Sequence, residues 1–593
     1  MTPGTRLGVS GFLTRAFIQS PLTPLILLAS LMLGLIALVA LPREEEPQIS
    51  VPMVDILVTA DGLKAEDAVK LVTEPLETIV KAINGVEHVY SNTEDDRVLV
   101  TARFFVGTSQ DDAILRVHEK VRANYDRIPV GIPEPLIVGR GIDDVAIVTL
   151  TLAAKPGGQP YEDNALYHMA ESLQVELAKL DDVGLSYIVG GRPDQIRVEP
   201  VPERLALYGV TLAELAGKVR DANRSFLAGR IREQGQSLPV AVGQTLQGVP
   251  DIGLLLLTTR DGRPVYVGDV ANVVVGAKPL ERRAWHMTKA DDGSISRVPA
   301  VTLALAKRAG ANAVVISERI LARVEDLKGH LLPEDIEVVV TRNYGETANE
   351  KANELLFHLG LATVSIVLLV GLAIGWRAGA VVLVVIPVTI LLTLFASWLF
   401  GYTINRVSLF ALIFSIGILV DDAIVVIENI ARHWAMQDGR SRIAAAIDAV
   451  AEVGNPTIFA TLTVVAALLP MLFVSGLMGP YMSPIPANAS AAMILSFFVA
   501  VIVTPWLMLR IGGSGEGDHA DAAHGGWLGR SYVAMARPVI ATRRRALGFL
   551  LAVGMATLLS LVLFATRSVT VKLLPFDDKS ELQVVIDLPP GAS

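Results

Sequence analysis

The chain has 593 residues, of which 52% are hydrophobic and only 19% charged, a composition of the membrane class. Its net charge of −9 gives no reason to propose nucleic acid as a partner. With no cysteine there is no disulfide framework and no Cys-based metal site.

Residues 1–20 are polar and weakly basic, with Arg6 and Arg15, and read as a short leading segment. Residues 21–41 form an apolar run too long for a usual signal core. Their exit, Leu41-Pro-Arg-Glu-Glu-Glu46, is a poor cleavage context, so the run reads as an uncleaved first span. From about 42 to 352 no stretch is long and apolar enough to span. The pattern instead alternates strand and helix: 51–59 strand, 64–83 amphipathic helix, 86–91 and 97–105 a hairpin around Glu94-Asp95-Asp96, then 109–128 helix. That order predicts a ferredoxin-like split βαβ unit over 42–142. The pattern restarts with strand 145–153, helix 162–180 and strand 185–189. It is interrupted by a Gly-rich insertion over 191–275 and resumes with strand 301–307, helix 313–327 and strand 336–341. The second unit therefore comprises 143–190 and 276–345.

Five further spans follow within 346–510, at about 355–374, 380–400, 407–430, 457–474 and 487–509. A seventh, 546–566, comes after a linker at 511–545 that begins with the Gly/His/Asp tract 512–526. His519 and His524 in that tract read as solvated spacer rather than as metal ligands. Arg377, Arg432, His433, Arg440, Arg442 and the arginines after 510 cluster at alternate loops. The positive-inside rule then puts the N-terminus and the 511–545 linker in the cytoplasm and the region 42–345 on the other side, the periplasm of a two-membrane cell.

The segment Gly417-Ile-Leu-Val-Asp421-Asp422-Ala-Ile-Val-Val-Ile-Glu428-Asn429 carries the chemistry. It lies in an apolar run from about Val407 to Ile430, and a spanning helix needs about 20 residues. An Asp at a helix centre costs about 2.5–3.5 kcal/mol on insertion scales, so two adjacent acids imply a partner, a water path or a proton. Asp421 and Asp422 are the predicted proton-translocating pair. As sequence neighbours they diverge by about 100° on a helix, and need not do the same job. A structural ion pair is the competing reading. Glu428, nearer the helix end, is as well explained by snorkelling. An intramembrane aspartyl protease is excluded as an enzyme reading, because adjacent acids on one helix cannot face each other across a peptide.

After span one the chain reads Leu41-Pro42 followed by an acidic cluster and a strand-like run. After span seven it reads Leu574-Pro575-Phe-Asp-Asp in the same arrangement. Duplicated halves are common in secondary transporters, and this second copy predicts that the chain is about half of a longer protein.

Taken together these residues resemble the resistance-nodulation-division (RND) efflux permeases, over essentially the whole chain. The Asp421-Asp422 segment is similar to the family's fourth-helix motif, with support from Gly310-Ala-Asn-Ala313, Pro387 and Pro470-Met-Leu-Phe473. The resemblance implies an inner-membrane homotrimer working with a periplasmic adaptor and an outer-membrane channel, driven by the proton-motive force without a cofactor. It implies that 42–142 and the split second unit are porter subdomains, that 191–275 is half of a docking funnel, and that 567–593 starts a third porter subdomain. The paired Asp resembles the branch exporting hydrophobic and amphiphilic organic compounds. Heavy-metal export and a non-transporting sensor of related fold are the alternatives. In the family the cations that pair with the two acids come from the second half, so the chain alone is expected not to pump. The positions aligned with the substrate pocket, around Val145 and Val189, are aliphatic, so no substrate identity follows.

Overall fold

The computed structural model describes residues 7–569 and 581–586, apart from positions 48, 50, 223–224, 234, 244–245, 247, 261, 281, 290–292, 437, 477 and 513–525. Two compact units result: Met1–His433 with Asp438–Gly512, and Trp434–Gln437 with Gly513–Ser593. Among the described residues seven helices are long and apolar enough to cross a membrane. They are joined to domains that mix helices with small antiparallel sheets, so the chain is a polytopic membrane protein with αβ domains.

The first αβ domain is built on β1 (Met53–Thr59), β2 (Val86–Glu94), β3 (Arg97–Phe104) and β4 (Leu136–Arg140), in the order β2-β3-β1-β4, every pair antiparallel. Alternation sorts the two faces. Val54, Ile56 and Val58 pair with Ala102, Val100 and Val98 and are buried under the helices, against Val72, Leu76, Ile79 and Val117. On the other face Asp55 accepts from Thr101 Oγ1 at 2.7 Å and from Arg140 Nε at 2.9 Å. The first helix is not uniform: Ala65–Ala68 passes through a π-helical turn, Val69–Thr73, into Glu74–Lys81. The acidic hairpin turn is also a tertiary cap, because Asp95 Oδ1 accepts the Ala65 N–H at 2.9 Å while Oδ2 binds Lys64 Nζ at 2.7 Å.

The second αβ domain starts with β5 (Ala146–Ala154) and β6 (Val183–Val189). The insertion then supplies β7 (Asp194–Pro200), β8 (Ser225–Glu233), β9 (Gln236–Gly243), β10 (Leu256–Arg260), β11 (Arg263–Tyr266) and β12 (Ala271–Ala277). Strands β7 and β12 zip its two ends together from Asp194↔Ala277 to Ala271↔Pro200, and Val210, Leu215, Ile252, Val267 and Val270 give it a small core of its own. The domain resumes with β13 (Ala284–Lys289), β14 (Ile295–Lys307) and β15 (Ile336–Asn343). β14 lies between β6 and β5, and β5 between β14 and β15. β14 begins six residues before the strand expected at 301, and that extra length pairs with β13. Leu150, Leu152, Leu303 and Leu305 form the buried face under the helices Asp163–Leu177 and Ala313–Leu327. Asn312 caps the second of these, its Oδ1 accepting the Val314 N–H.

The helical bundle packs through small residues, as lipid-embedded helices must when there is no hydrophobic drive between them. In the Leu22–Ala40 helix the buried positions are Thr23, Ser30, Gly34 and Ala37. A Cβ at Gly34 would stand 2.2 Å from Leu391 Cβ. The segment before it, read from sequence as a plain polar lead, forms a helix at Gly8–Phe17 that docks against the bundle. Thr14 Oγ1 donates to the Val501 carbonyl at 2.7 Å, and Ser10 sits against Gly454. The fifth span also starts earlier than expected, as a continuous helix from Arg442 to Leu468 followed by a 3₁₀ turn, Leu469–Phe473.

In the second unit the Gly526–Ile540 helix leads into the Arg543–Ala565 helix. The 513–525 part of the linker and the Leu574-Pro575 repeat lie outside the described residues. Residues 581–586 carry no regular structure.

Candidate functional site

The paired acids sit on the Arg406–Ala435 helix, 30 residues long, about 45 Å at 1.5 Å per residue. Its start is fixed by a reciprocal cap: Asn405 Oδ1 accepts the Ser408 N–H and Ser408 Oγ accepts the Asn405 N–H, each at 2.9 Å. Near its other end Asn429 Nδ2 donates to the Ala449 carbonyl at 2.7 Å. Arg432 and His433 grip the two oxygens of Glu452 at 2.6 and 2.7 Å. Glu452 and Asp448 are why the fifth span starts early: both face partners, Asp448 meeting Arg440 at 2.6 Å, and neither needs a loop.

Between these two anchors the acids part company. Asp422 is 7% exposed, and its Oδ2 has no hydrogen-bond partner among the described residues. It lies beside Ser496 of the Pro484–Ile511 helix, whose hydroxyl donates to the Leu419 carbonyl at 2.5 Å. Asp421 faces out of the bundle on a stripe of exposed positions, Phe410, Phe414, Gly417, Asp421, Val425 and Glu428. Those positions are spaced by four and three residues in the manner of a helix–helix seam. Glu428 thus shares the face of Asp421, not that of Asp422. A buried carboxyl without a facing cation has a charge its surroundings do not compensate, so any change in its protonation changes the energy of the packing around it.

A second ionic feature ties this helix to the αβ domains. Lys307, the last residue of β14, reaches Glu44 Oε1 at 3.0 Å, with side chains only 6% and 4% exposed. Glu44 Oε2 accepts from Thr403 Oγ1 at 3.1 Å, and the Glu44 N–H donates to the Ile404 carbonyl at 3.0 Å. Arg406 pairs with Glu46 at 2.8 Å. The exit of the first span, the end of the second αβ sheet and the start of the Asp helix therefore meet at one buried pair. Sequence reading took Glu44-Glu45-Glu46 as the mark of a repeat. The available signal was Lys307, a cation directly after the apolar run Leu303-Ala-Leu-Ala306. Ser496 gave no signal, since a serine in an apolar helix is common. Among the described residues no group of three or more His, Cys, Asp or Glu side chains is placed to hold a metal ion.

With this geometry in hand, comparison with known proteins is decisive. The sequence model of the AcrB/AcrD/AcrF family matches residues 13–593. The chain belongs to this family. AcrB/AcrD/AcrF proteins are RND permeases of the hydrophobe/amphiphile type, the kind the Asp421-Asp422 segment resembles. One similar relative is the multidrug resistance protein MdtC of Pantoea ananatis, 28% identical over 495 residues, which are 83% of this chain and 47% of the relative. The chain thus spans about half the length of the curated relative it matches.

Proposed function

We propose that the chain is part of a proton-driven exporter of hydrophobic or amphiphilic organic compounds, with Asp421 and Asp422 carrying the proton. In this reading the bundle lies in the inner membrane, residues 42–345 are periplasmic, and the protein works as a homotrimer with a periplasmic adaptor and an outer-membrane channel. Both αβ domains are ferredoxin-like split units in this reading: the first sheet runs β2-β3-β1-β4, and the second, with the added β13 set aside, runs β6-β14-β5-β15, the same order. They serve as porter subdomains, and the zipped insertion 191–275 serves docking.

The observation that carries the reading is the split placement of the two acids, one buried with an oxygen that has no partner among the described residues and one on an exposed helix face. Asp422 senses proton occupancy from inside the bundle. Asp421, on the exposed stripe of the same helix, takes its counter-charge from a cation on a facing helix. Neutralising the pair changes which packing of the Asp helix lies lowest. The shift reaches the porter domains through the Glu44–Lys307 junction and through the spans that run directly into them. A proton moving down 100 mV supplies about 2.3 kcal/mol for this work.

The test is made in the full-length protein. Asp421→Asn and Asp422→Asn each abolish export of lipophilic cations from cells while membrane abundance and trimer formation stay at wild-type levels. Undiminished export by both variants overturns the assignment.

A further inference from the structure

The second unit contains a basic groove that the transport reading leaves unused. Between residues 526 and 545 the sequence carries five arginines, Arg530, Arg537, Arg543, Arg544 and Arg545, and no acidic residue. Arg530 and Arg537 are seven apart on the Gly526–Ile540 helix, so they share one face. With Ala534, Ala541 and, from the start of the next helix, Arg545, they line a groove of 510 Å³. About 180° round the same helix lie Tyr532, Met535 and Val539, and Tyr532 and Met535 stay exposed at 72% and 77%. A basic face opposite an apolar one is the pattern of a helix lying in the membrane interface. Arg545 belongs to the first turn of an apolar helix long enough to span, which sets the groove at the depth of lipid headgroups.

We infer that this groove is a binding site for the headgroup of an anionic phospholipid, with Arg530, Arg537 and Arg545 converging on the phosphate. Guanidinium groups suit this ligand because each offers paired donors to phosphate oxygens. The small residues between them leave room for the glycerol end, with Val533 and Pro538 as the groove's apolar lining. Clusters of four to eight basic residues beside a span are the usual sequence sign of anionic-lipid recognition. Here two helices bring three such side chains to one groove. The inference does not depend on proton coupling.

Native mass spectrometry of the purified 593-residue chain, titrated in detergent with phosphatidylglycerol and in parallel with phosphatidylcholine, tests it. Phosphatidylglycerol is expected to bind at least about tenfold more tightly. Arg530→Gln with Arg537→Gln is expected to weaken it about 25-fold, about fivefold per charge, the equivalent of about 1 kcal/mol each. Arg543→Gln with Arg544→Gln removes the same charge outside the groove and is expected to leave binding nearly unchanged. Arg545→Gln, on the other helix, alone costs about fivefold and keeps the test open should the first double variant lose helicity. Equal losses in the two double variants, or equal binding of the two lipids by the native chain, would overturn the site.

Discussion

At the scale of single residues, Lys307 and Glu44 show how far a buried charge depends on its partner. Removing one member of such a pair leaves the other uncompensated in a medium that cannot solvate it. Lys307→Met is expected to destabilise the fold by about 3–5 kcal/mol, read as a lowered midpoint of thermal unfolding in detergent. Glu44→Gln added to Lys307→Met should return most of that loss, because no ion is then left stranded. If the double variant is as unstable as the single one, the pair is not the source of the effect. Asp95 gives the pH-dependent counterpart on the exposed surface. The Lys64 ammonium, and after it the Ala65 N–H, hold the Asp95 carboxyl below the ordinary Asp value. Its contribution is therefore present above the unfolded pKa, about 3.9, and is lost as pH falls through the lower folded value. Asp95→Asn keeps a capping oxygen but not the charge. Melts of the variant should lose part of the acid-side fall in stability that the parent shows below about pH 4.

Among the elements, helix packing gives the sharpest contrast. Gly34 meets Leu391 so closely that an added Cβ must move backbone, whereas nothing lies within 4 Å of a Cβ at Gly360. Gly34→Ala should cost about 1–3 kcal/mol, and Gly360→Ala should be neutral or slightly stabilising. Comparing the two melting temperatures checks this. The same packing explains what could be read in advance. The strand–helix alternation of both αβ domains was legible because period 2 and period 3.6 separate cleanly in segments such as Val54-Asp55-Ile56-Leu57-Val58. The seven spans were legible from length and apolarity. The docked Gly8–Phe17 helix was not, since its contact residues Ser10, Gly11 and Thr14 look like a polar tail unless small-residue spacing is taken as a packing signal. That the fifth helix begins as early as Arg442 was not legible for a related reason: Asp448 and Glu452 do not look like helix-interior residues until their basic partners are known.

For the molecule as a whole, the two acids stand out in the sequence by their cost in a membrane. Which one turns inward does not follow from sequence, because helical phase relative to neighbours is set by packing partners on other helices, such as Ser496 and Ala449. The structure resolves that phase: Asp422 goes in and Asp421 goes out. The account rests on the inward acid being the one whose proton the bundle feels. Proteoliposomes holding the full-length protein, with a pH-sensitive dye trapped inside and an imposed gradient of a lipophilic cation, measure this directly. The native protein is predicted to move protons against the cation flux. With Asp422→Asn, both flows should fall to the level of empty vesicles. Proton movement that persists in that variant, still coupled to the cation, would contradict the account.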